Sequence, residues 1–353
     1  MTWDPTGFRG GVQRVLDDFL DERGAELEPL GPDAARLLTA ARVASTGGKR
    51  FRAAFCYWGH RAVRPDPADE AALLRACAAL ELLHASALVH DDYMDDSDTR
   101  RGHPATHKVF EHEHVGAGWA GDPEQYGAAA AILLGDLLQA WADELLRTCG
   151  LPAGDVIRAL GLFDRTRTEV IAGQFLDISV QARGRATVEE AMTVLRYKSA
   201  KYSIERPLHI GAALAGAPDH TLEALSAFGL PLGEAFQLRD DLLGVYGDPA
   251  ATGKPAGDDL VEGKRTVLIA LALQAAPASD AALLDRSLGT DLGEAEVGEL
   301  RRIITGSGAP AHVETMIARL HDDAVAALER ADLDDGARGV LRQLAAAATQ
   351  RTV

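Results

Sequence analysis

Carboxylates cluster at two places in the chain, each time at the end of an apolar stretch with helical spacing. The first cluster, in LVHDDYMDDSDTRRGHPATH, contains Asp91, Asp92 and Asp95 in the pattern DDxxD. Residues four apart share one face of a helix, so Asp91 and Asp95 can converge on one point. Their repulsion has to be neutralised, and a hard cation does this best. The pattern predicts a Mg²⁺ site, with a solvated acidic helix end as the alternative.

The second cluster lies in EAFQLRDDLLGVYGD, where Asp240 and Asp241 again follow an apolar helical run. Gln237 precedes Asp241 by one helical turn and shares its face. Aspartates are unfavourable at a helix C-terminus because the helix dipole is negative there, so the pair calls for a cation. Read alone, the pair fits a metal site and a solvated helix end equally well. Two such clusters together indicate a cavity with carboxylates at its mouth.

Basic residues accompany both acidic clusters and often lie in segments that contain glycine. They are Lys49 and Arg52 in GGKRFR, Arg100 and Arg101 after the first cluster, Lys198 in LRYKSAKYS, Lys254 in TGKPAGDD and Lys264 in EGKRT. Salt bridges alone would explain part of this set. A diphosphate-binding site requires positive charge around the phosphate oxygens, which Mg²⁺, Lys and Arg can supply. Neither the phosphate loop GxxxxGK[ST] nor a GxGxxG after a strand is present, so a nucleotide-binding fold is not indicated.

The elements that must position these residues are predicted to be helices, because apolar residues recur at i, i+3 and i+4 and few runs alternate. The predicted helices cover residues 10–23, 68–89, 127–146, 156–180, 187–215, 220–246, 264–275, 280–286, 294–304, 310–331 and 336–350. Residues 96–126 and 247–263 are predicted to be long loops that could act as lids. No Ser- or Pro-rich linker divides the chain. We therefore expect an all-α protein with a single domain over residues 1–353.

Composition limits the classes of function. The chain has 353 residues, with 36 basic and 53 acidic side chains and a net charge of −17. This balance argues against a nucleic-acid binder, which needs Lys and Arg for the phosphates. Three widely spaced cysteines predict neither a disulfide framework nor a zinc ribbon. No secretion signal is evident and no stretch approaches the roughly 18 to 20 apolar residues of a membrane span, so we expect a soluble, cytoplasmic protein.

Seven segments, in this order, resemble the trans-isoprenyl diphosphate synthases, the polyprenyl synthetase family. They are GGKRFR, ELLHASALVHDDYMDDSDTRRGHPATH, LLGDLL, IAGQFLDI, YKSAKYS, FQLRDDLLGVYGD and GKPAGDDLVEGKRT. The resemblance implies a helical bundle around a central cavity, usually a homodimer. It also implies condensation of isopentenyl diphosphate with an allylic partner (dimethylallyl, geranyl or farnesyl diphosphate). The implied cofactor is Mg²⁺, about three ions per site, with Mn²⁺ as an alternative ion.

The resemblance assigns roles by position. The metal ligands would be Asp91, Asp92, Asp95, Asp240 and Asp241. Isopentenyl diphosphate would be held by Lys49, Arg52, His84 and Arg101. The allylic diphosphate and the reacting region would involve Arg100, Gln174, Asp177, Lys198, Ser199, Gln237, Lys254 and Lys264. The resemblance implies that the catalytic residues are Lys198, Gln237, Asp91 and Asp240.

One departure from the family pattern concerns the second Asp motif. The family usually has DDxxD there, whereas this chain has Gly244 at the last position. Asp248 is a possible substitute four residues later. His84 could also be a core histidine on an apolar helix instead of a ligand.

The residues before Asp91 are expected to line a tunnel that sets product length. Ser86 and Ala87 are small where the resemblance implies that bulky aromatics would stop elongation at C15. Leu83 and Leu80 are the next sizeable side chains, and one helical turn of about 5.4 Å matches roughly one isoprene unit. We expect mainly geranylgeranyl diphosphate, C20, with longer polyprenyl chains as the alternative. Small residues that merely allow close helix packing would also explain Ser86 and Ala87.

Two further classes of function remain open. A class I terpene cyclase also ionises diphosphates through an Asp-rich motif, but it binds one diphosphate and has no use for the separate cations of GGKRFR and Arg101. A non-catalytic subunit of a heteromeric synthase would commonly lose site residues, and here only the Asp at position 244 is lost.

Overall fold

The computed structural model describes residues 3–100, 102–247 and 257–350. The first helices are α1 Pro5–Leu27, α2 Pro32–Ser45, α3 Phe51–Arg61, α4 Glu70–Met94, α5 Thr106–Ala117, α6 Pro123–Arg147, α7 Ala153–Arg183 and α8 Val188–Leu195. A π-helix, Arg196–Glu205, leads into the remaining helices. These are α9 Arg206–Leu214, α10 Asp219–Tyr246, α11 Asp258–Val261, α12 Val267–Ala275, α13 Ala278–Ser287, α14 Glu294–Gly306, α15 Ala309–Arg330 and α16 Asp335–Thr349. A short 3₁₀ turn, Glu28–Leu30, joins α1 to α2.

The all-α prediction is confirmed. In the part of the chain that the structure describes, the strands are limited to one hairpin, β1 Thr99–Arg100 against β2 His103–Pro104. The prediction of a loop over 96–126 was wrong, because this hairpin and α5 lie within it. The buried face of α5 consists of His107, Phe110 and His114, so two of its three core positions are polar residue types. Apolar periodicity therefore does not reveal this helix.

The core is built around α4 and α10. A large apolar cluster joins α4 to α1, α3, α6 and α9, and a second cluster joins α10 to α12, α14 and α15. Helix α10 contributes to both, with Leu232 and Phe236 in the first cluster and Ala235 and Leu238 in the second. Both Asp motifs thus lie at the ends of the helices that organise the core, which fixes their backbones by packing on several sides.

Helix α4 is apolar enough to cross a membrane by length and composition, with a mean hydropathy of 1.6 over 18 residues. The charged residues Arg75 and Glu81 interrupt its apolar residues, so this helix is not an uninterrupted apolar stretch. In the fold, 72% of that window is buried inside the protein. Its apolar residues face neighbouring helices, as those of a central core helix do.

The predicted helix over 187–215 is divided into α8, the π-helix and α9. Thr187 begins α8 with a capping box, in which its side chain accepts from the Glu190 N–H and the Glu190 side chain accepts in return. Pro207 lies in the first turn of α9, where its missing N–H is tolerated. The sequence pattern predicts continuous helix here, but the backbone widens over Arg196–Glu205.

Candidate active site

Both Asp clusters and most of the predicted cations line one cavity of about 610 Å³. The predicted site residues in its wall are Lys49, Arg52, His84, Asp91, Arg100, Asp177, Lys198, Ser199, Gln237, Asp240, Asp241 and Lys264. They come from the segment before α3, from α3, α4, β1, α7, the π-helix and α10, and from the segment after α11. Two predicted site residues, Arg101 and Lys254, lie outside the described residues. The cavity wall therefore gathers side chains that are up to about two hundred residues apart in the chain.

Asp91 is held by two partners from neighbouring elements. Lys198 Nζ lies 3.1 Å from Asp91 Oδ1, and Gln174 Nε2 donates to the same oxygen at 2.8 Å. Burial would raise the pKa of Asp91, but Lys198, Lys264 and Arg100 together hold it well below its usual range. Asp91 is thus an anion that already attracts the cations placed around the cavity. Lys198 also donates to Asp177 Oδ2 at 2.6 Å, which places Asp177 beside the first Asp cluster.

Asp92 and Asp95 have different surroundings. Asp92 is buried and accepts from Arg100 Nε at 2.7 Å, so Arg100 is fixed directly against the cluster. Asp95 Oδ2 lies 3.1 Å from Lys264 Nζ. Burial and the nearby charge of Asp91 together raise the pKa of Asp95 to about 6, although Lys264 and Lys198 oppose the shift. A second cation near Asp91 and Asp95 would relieve this repulsion.

The donor set fits Mg²⁺. Across the described residues, no three His, Cys, Asp or Glu side chains converge closely enough to hold a metal ion by themselves. Mg²⁺ commonly uses one or two carboxylates and fills its remaining positions with water and substrate phosphates. Carboxylates that repel one another at the mouth of a basic cavity suit that mode of binding, whereas zinc would require nitrogen or sulfur ligands.

Asp241, in the second cluster, is buried and accepts a hydrogen bond from a side chain of its own helix. Gln237 Nε2 donates to Asp241 Oδ1 at 2.8 Å. Burial raises the pKa of Asp241 to about 8, with additional repulsion from Asp259, Asp240 and Asp177, although the Gln237 bond opposes the shift. Before a cation binds, the folded protein therefore keeps a proton on Asp241 near neutral pH.

This raised pKa predicts a pH-dependent stability of the metal-free protein. The ordinary pKa of Asp is about 3.9, so between about pH 4 and pH 8 the folded state holds a proton that the unfolded chain has lost. Stability then falls as pH rises through this window. Asp241→Asn cannot ionise, so in EDTA its melting temperature should exceed that of the wild type by a growing margin from pH 5 to pH 8. The exposed Asp98→Asn is the control, and an unchanging margin for Asp241→Asn would contradict the assignment.

The side chain of Asp259 lies beside Gly244, the position at which the chain departs from DDxxD. A Cβ atom added at Gly244 would lie 1.9 Å from Asp259 Oδ2. Asp259, in α11, therefore occupies the space next to the second cluster that a side chain at position 244 would need. Lys264 Nζ lies 3.8 Å from Asp259 Oδ1. The substitute suggested from the sequence, Asp248, lies outside the described residues. Asp259 was missed, although the GDD of its segment was a visible signal.

A second group of cations lines the same cavity. Arg52 Nη2 donates to Ser203 Oγ at 2.8 Å, and its guanidinium carbon lies 4.1 Å from the Tyr202 ring centroid. His84 Nδ1 is 2.8 Å from the Tyr202 hydroxyl. His84 is thus a cavity residue with a polar partner, and Lys49 lines the same wall. Sequence reasoning missed Tyr202 and Ser203, although both lie in the quoted segment YKSAKYS.

A buried ion pair positions the segment GGKRFR. Arg50 has a left-handed backbone (φ 55°) and donates to Glu81 Oε2 at 3.2 Å and to the Ser45 carbonyl at 2.6 Å. Glu81 Oε1 accepts the Ala53 N–H at 3.1 Å, in the first turn of α3. Because Arg50 and Glu81 are both buried, breaking this pair would leave an unpaired charge in the core. Lys49 and Arg52 are fixed on either side of this anchor.

The residues predicted to set product length lie on another part of α4. His84, Leu88 and Asp91 form the face of α4 that lines the cavity. Ser86, Leu83 and Leu80 are each no more than 2% exposed, and Ala87 is half-buried. Within the described residues, none of these four contributes to the wall of this cavity. Their role in chain length stays a prediction.

The sequence model of the polyprenyl synthetase family matches residues 36–305. The chain belongs to this family, which confirms the resemblance. A short chain isoprenyl diphosphate synthase from Methanothermobacter thermautotrophicus is 31% identical over 91% of this chain and 93% of that protein. A geranylfarnesyl diphosphate synthase from Natronomonas pharaonis is 38% identical over 57% of this chain. That match spans only 54% of the relative's own length.

A solved structure resembles the whole chain. It is the geranylgeranyl pyrophosphate synthase from Corynebacterium glutamicum, complexed with isoprenyl diphosphate and magnesium. The TM-score is 0.96 at 39% identity, and the match covers 99% of this chain and 100% of that one. The predicted isoprenoid synthase fold is thereby confirmed.

Proposed function

We propose that the protein is a Mg²⁺-dependent prenyl diphosphate synthase that joins isopentenyl diphosphate to an allylic diphosphate. The observation that carries this proposal is the presence of two separate cation groups in one cavity. Lys198 and Arg100 lie against Asp91 and Asp92, whereas Arg52, Lys49 and His84 lie by Tyr202 and Ser203. One group would hold each diphosphate. The Corynebacterium enzyme is complexed with isoprenyl diphosphate and magnesium, which supports binding of a prenyl diphosphate and Mg²⁺ in this fold.

In this mechanism, Lys198 and Arg100 bind the allylic diphosphate and Lys264 approaches it from the segment after α11. Asp91, Asp95 and Asp240 would be the principal Mg²⁺ ligands, and Asp92 and Asp241 would support them. Bound Mg²⁺ supplies charge stabilisation for the diphosphate that leaves when the allylic C–O bond breaks. The double bond of isopentenyl diphosphate then forms a C–C bond to the allylic carbon, and the resulting cation is expected to lose a proton to the departing diphosphate.

Other residues orient the reactants and exclude water. Gln174 and Asp177 hold Asp91 and Lys198 in place through the hydrogen bonds described above. Ser199 and Gln237 line the same cavity and are proposed to contact the reacting region. Leu88, Leu195 and Phe236 provide apolar wall there, which would keep water from quenching a carbocation. Lys254 and Arg101 remain candidates from the sequence.

The proposed reaction is tested by incubating the purified protein with Mg²⁺, labelled isopentenyl diphosphate and each C5, C10 and C15 allylic diphosphate in turn. Chromatography of the dephosphorylated products should show elongated chains. A terpene cyclase would instead release hydrocarbon without isopentenyl diphosphate, and a non-catalytic subunit would give no product. Replacing Mg²⁺ by EDTA should abolish turnover, and Mn²⁺ should restore part of it.

We expect the main product to be C20. Ser86→Phe should shorten it to C15 by filling the tunnel that the sequence predicts along α4, and Leu83→Ala should allow some C25 or longer. Because Ser86 is buried, Ala87→Phe at a half-buried position is a second variant that tolerates bulk more easily. Ser86→Ala is the control and should leave the product unchanged. If stable Ser86→Phe and Ala87→Phe variants both kept a C20 product, α4 would not set the length.

A homodimer and a cytoplasmic location stay predictions. Helices α6 and α7 each expose large apolar side chains, Ile132 and Leu133 on α6 and Ile171 and Phe175 on α7. Exposed apolar groups of this kind are typical of subunit interfaces. Sedimentation equilibrium should give twice the mass of one chain.

A further inference from the structure

The π-helix Arg196–Glu205 presents residues of both cation groups to the same cavity. In an α-helix with about 100° per residue, positions 198 and 203 would point about 140° apart. In a π-helix the hydrogen bonds run from i to i+5, so residues five apart lie close to one face. Lys198 and Ser203 both line the cavity in this structure. The widened backbone is therefore what allows one short segment to contact both ends of the site.

The contacts of this segment divide between the two proposed diphosphate positions. At its beginning, Lys198 Nζ contacts Asp91 and Asp177. One turn later, Ser203 Oγ accepts from Arg52 and the Tyr202 hydroxyl contacts His84. A displacement of the π-helix would move Lys198 relative to Asp91. It would also move Ser203 and Tyr202 relative to their partners, Arg52 and His84.

Two glycines in neighbouring helices pack directly against the backbone of the π-helix. A Cβ added at Gly173, in α7, would lie 2.4 Å from the Lys198 nitrogen and 2.5 Å from the Tyr197 carbonyl carbon. A Cβ added at Gly233, in α10, would lie 2.5 Å from the Ala200 oxygen. These are backbone atoms, so no rotation of a side chain could make room. Glycine in a helix interior is unfavourable by about 1 kcal/mol relative to alanine, and the close approach explains its presence.

We propose that Gly173 and Gly233 set the spacing of the two diphosphate sites by holding the π-helix between α7 and α10. In this arrangement, Ser203 and Tyr202 are positioning residues that aim Arg52 and His84 at isopentenyl diphosphate. The inference rests on the proposed function for the identity of the ligands. It adds that the π-helix aligns the two diphosphate sites. This alignment requires the close contacts of the π-helix with Gly173 and Gly233.

The test compares Gly173→Ala with Gly161→Ala, because both glycines lie inside α7 and only one touches the π-helix. A Cβ at Gly161 would meet nothing within 4 Å, so this control should keep wild-type kinetics. Gly173→Ala should raise the Michaelis constants of both substrates about 10-fold or more, with a corresponding loss in calorimetric binding of inorganic pyrophosphate. Equal kinetics and binding for the two variants would overturn the inference.

Ser203→Ala keeps the inference testable if Gly173→Ala does not fold. It removes one charge-assisted hydrogen bond to Arg52 and should raise the Michaelis constant of isopentenyl diphosphate about 10-fold. The Michaelis constant of the allylic substrate should stay within twofold of the wild type. An unchanged constant for isopentenyl diphosphate, or equal changes in both, would contradict the positioning role. Turnover of the wild type tests the proposed function separately. Pyrophosphate binding measures the effect of a displaced π-helix even if the protein has no turnover.

Discussion

Asp91→Ala is expected to lower turnover about 10³-fold or more while the protein stays folded, because it removes the anion around which the first cation group is arranged. Asp91 contacts both Lys198 and Gln174, so its loss would remove the partner of Lys198 as well as a proposed Mg²⁺ ligand. Asp240→Ala, in the second Asp cluster, should have an effect of the same order. Steady-state turnover under saturating substrates and Mg²⁺ is the measurement.

The matched control is Asp96→Asn, next to the first cluster. Asp96 is exposed and has a left-handed backbone (φ 51°), which Asn tolerates well. It contacts Lys108 at the surface and does not line the cavity. The turnover of Asp96→Asn should stay within about twofold of the wild type, because exposed ion pairs contribute little free energy. Full activity in Asp91→Ala or Asp240→Ala would contradict the metal assignment.

Lys198→Met and Arg52→Met are expected to affect different substrates. Losing a charge-assisted contact costs about 1.5 to 3 kcal/mol, or roughly 10- to 150-fold in affinity. Lys198→Met should raise the Michaelis constant of the allylic diphosphate, because Lys198 lies against Asp91 and Asp177. Arg52→Met should raise that of isopentenyl diphosphate, and Lys49→Ala and Arg101→Ala should act in the same direction. Initial rates with each substrate varied in turn measure both constants.

Lys201→Met is the control for these two variants. Lys201 belongs to the same π-helix as Lys198, but its ammonium pairs with Glu169 and Glu205. Both Michaelis constants should stay close to those of the wild type. If Lys198→Met and Arg52→Met raised the same constant to the same extent, the division into two diphosphate sites would be wrong.

The long helices could be predicted because apolar periodicity and packing agree in them. Helix α10 was expected over 220–246 and spans Asp219–Tyr246, and α4 extends only a few residues beyond the expected 68–89. Helix α5 was not predicted, because its core face depends on His107 and His114. A histidine is buried only where tertiary contacts accept it, and no local pattern indicates those contacts.

The site could be predicted where charged residues repeat a recognisable spacing, as in the two Asp clusters. Sequence reasoning missed the parts that depend on backbone geometry or on contacts between distant segments. The anchoring of Arg50 by Glu81 joins two helices through a buried ion pair. The widened turn at Lys198 depends on glycines of two other helices. Likewise, the space at Gly244 is filled by Asp259 from further along the chain, and a motif comparison shows only the missing residue.

The simultaneous binding of two diphosphates to one cavity can be measured by isothermal titration calorimetry. The ligands are isopentenyl diphosphate and an allylic thiolodiphosphate, whose bridging sulfur slows ionisation, in the presence of Mg²⁺. We predict that each ligand binds once per chain and that saturation with the thiolodiphosphate leaves the isopentenyl diphosphate site available. Arg52→Met should weaken only isopentenyl diphosphate binding. Competitive displacement of one ligand by the other in the wild type would contradict the two-site cavity.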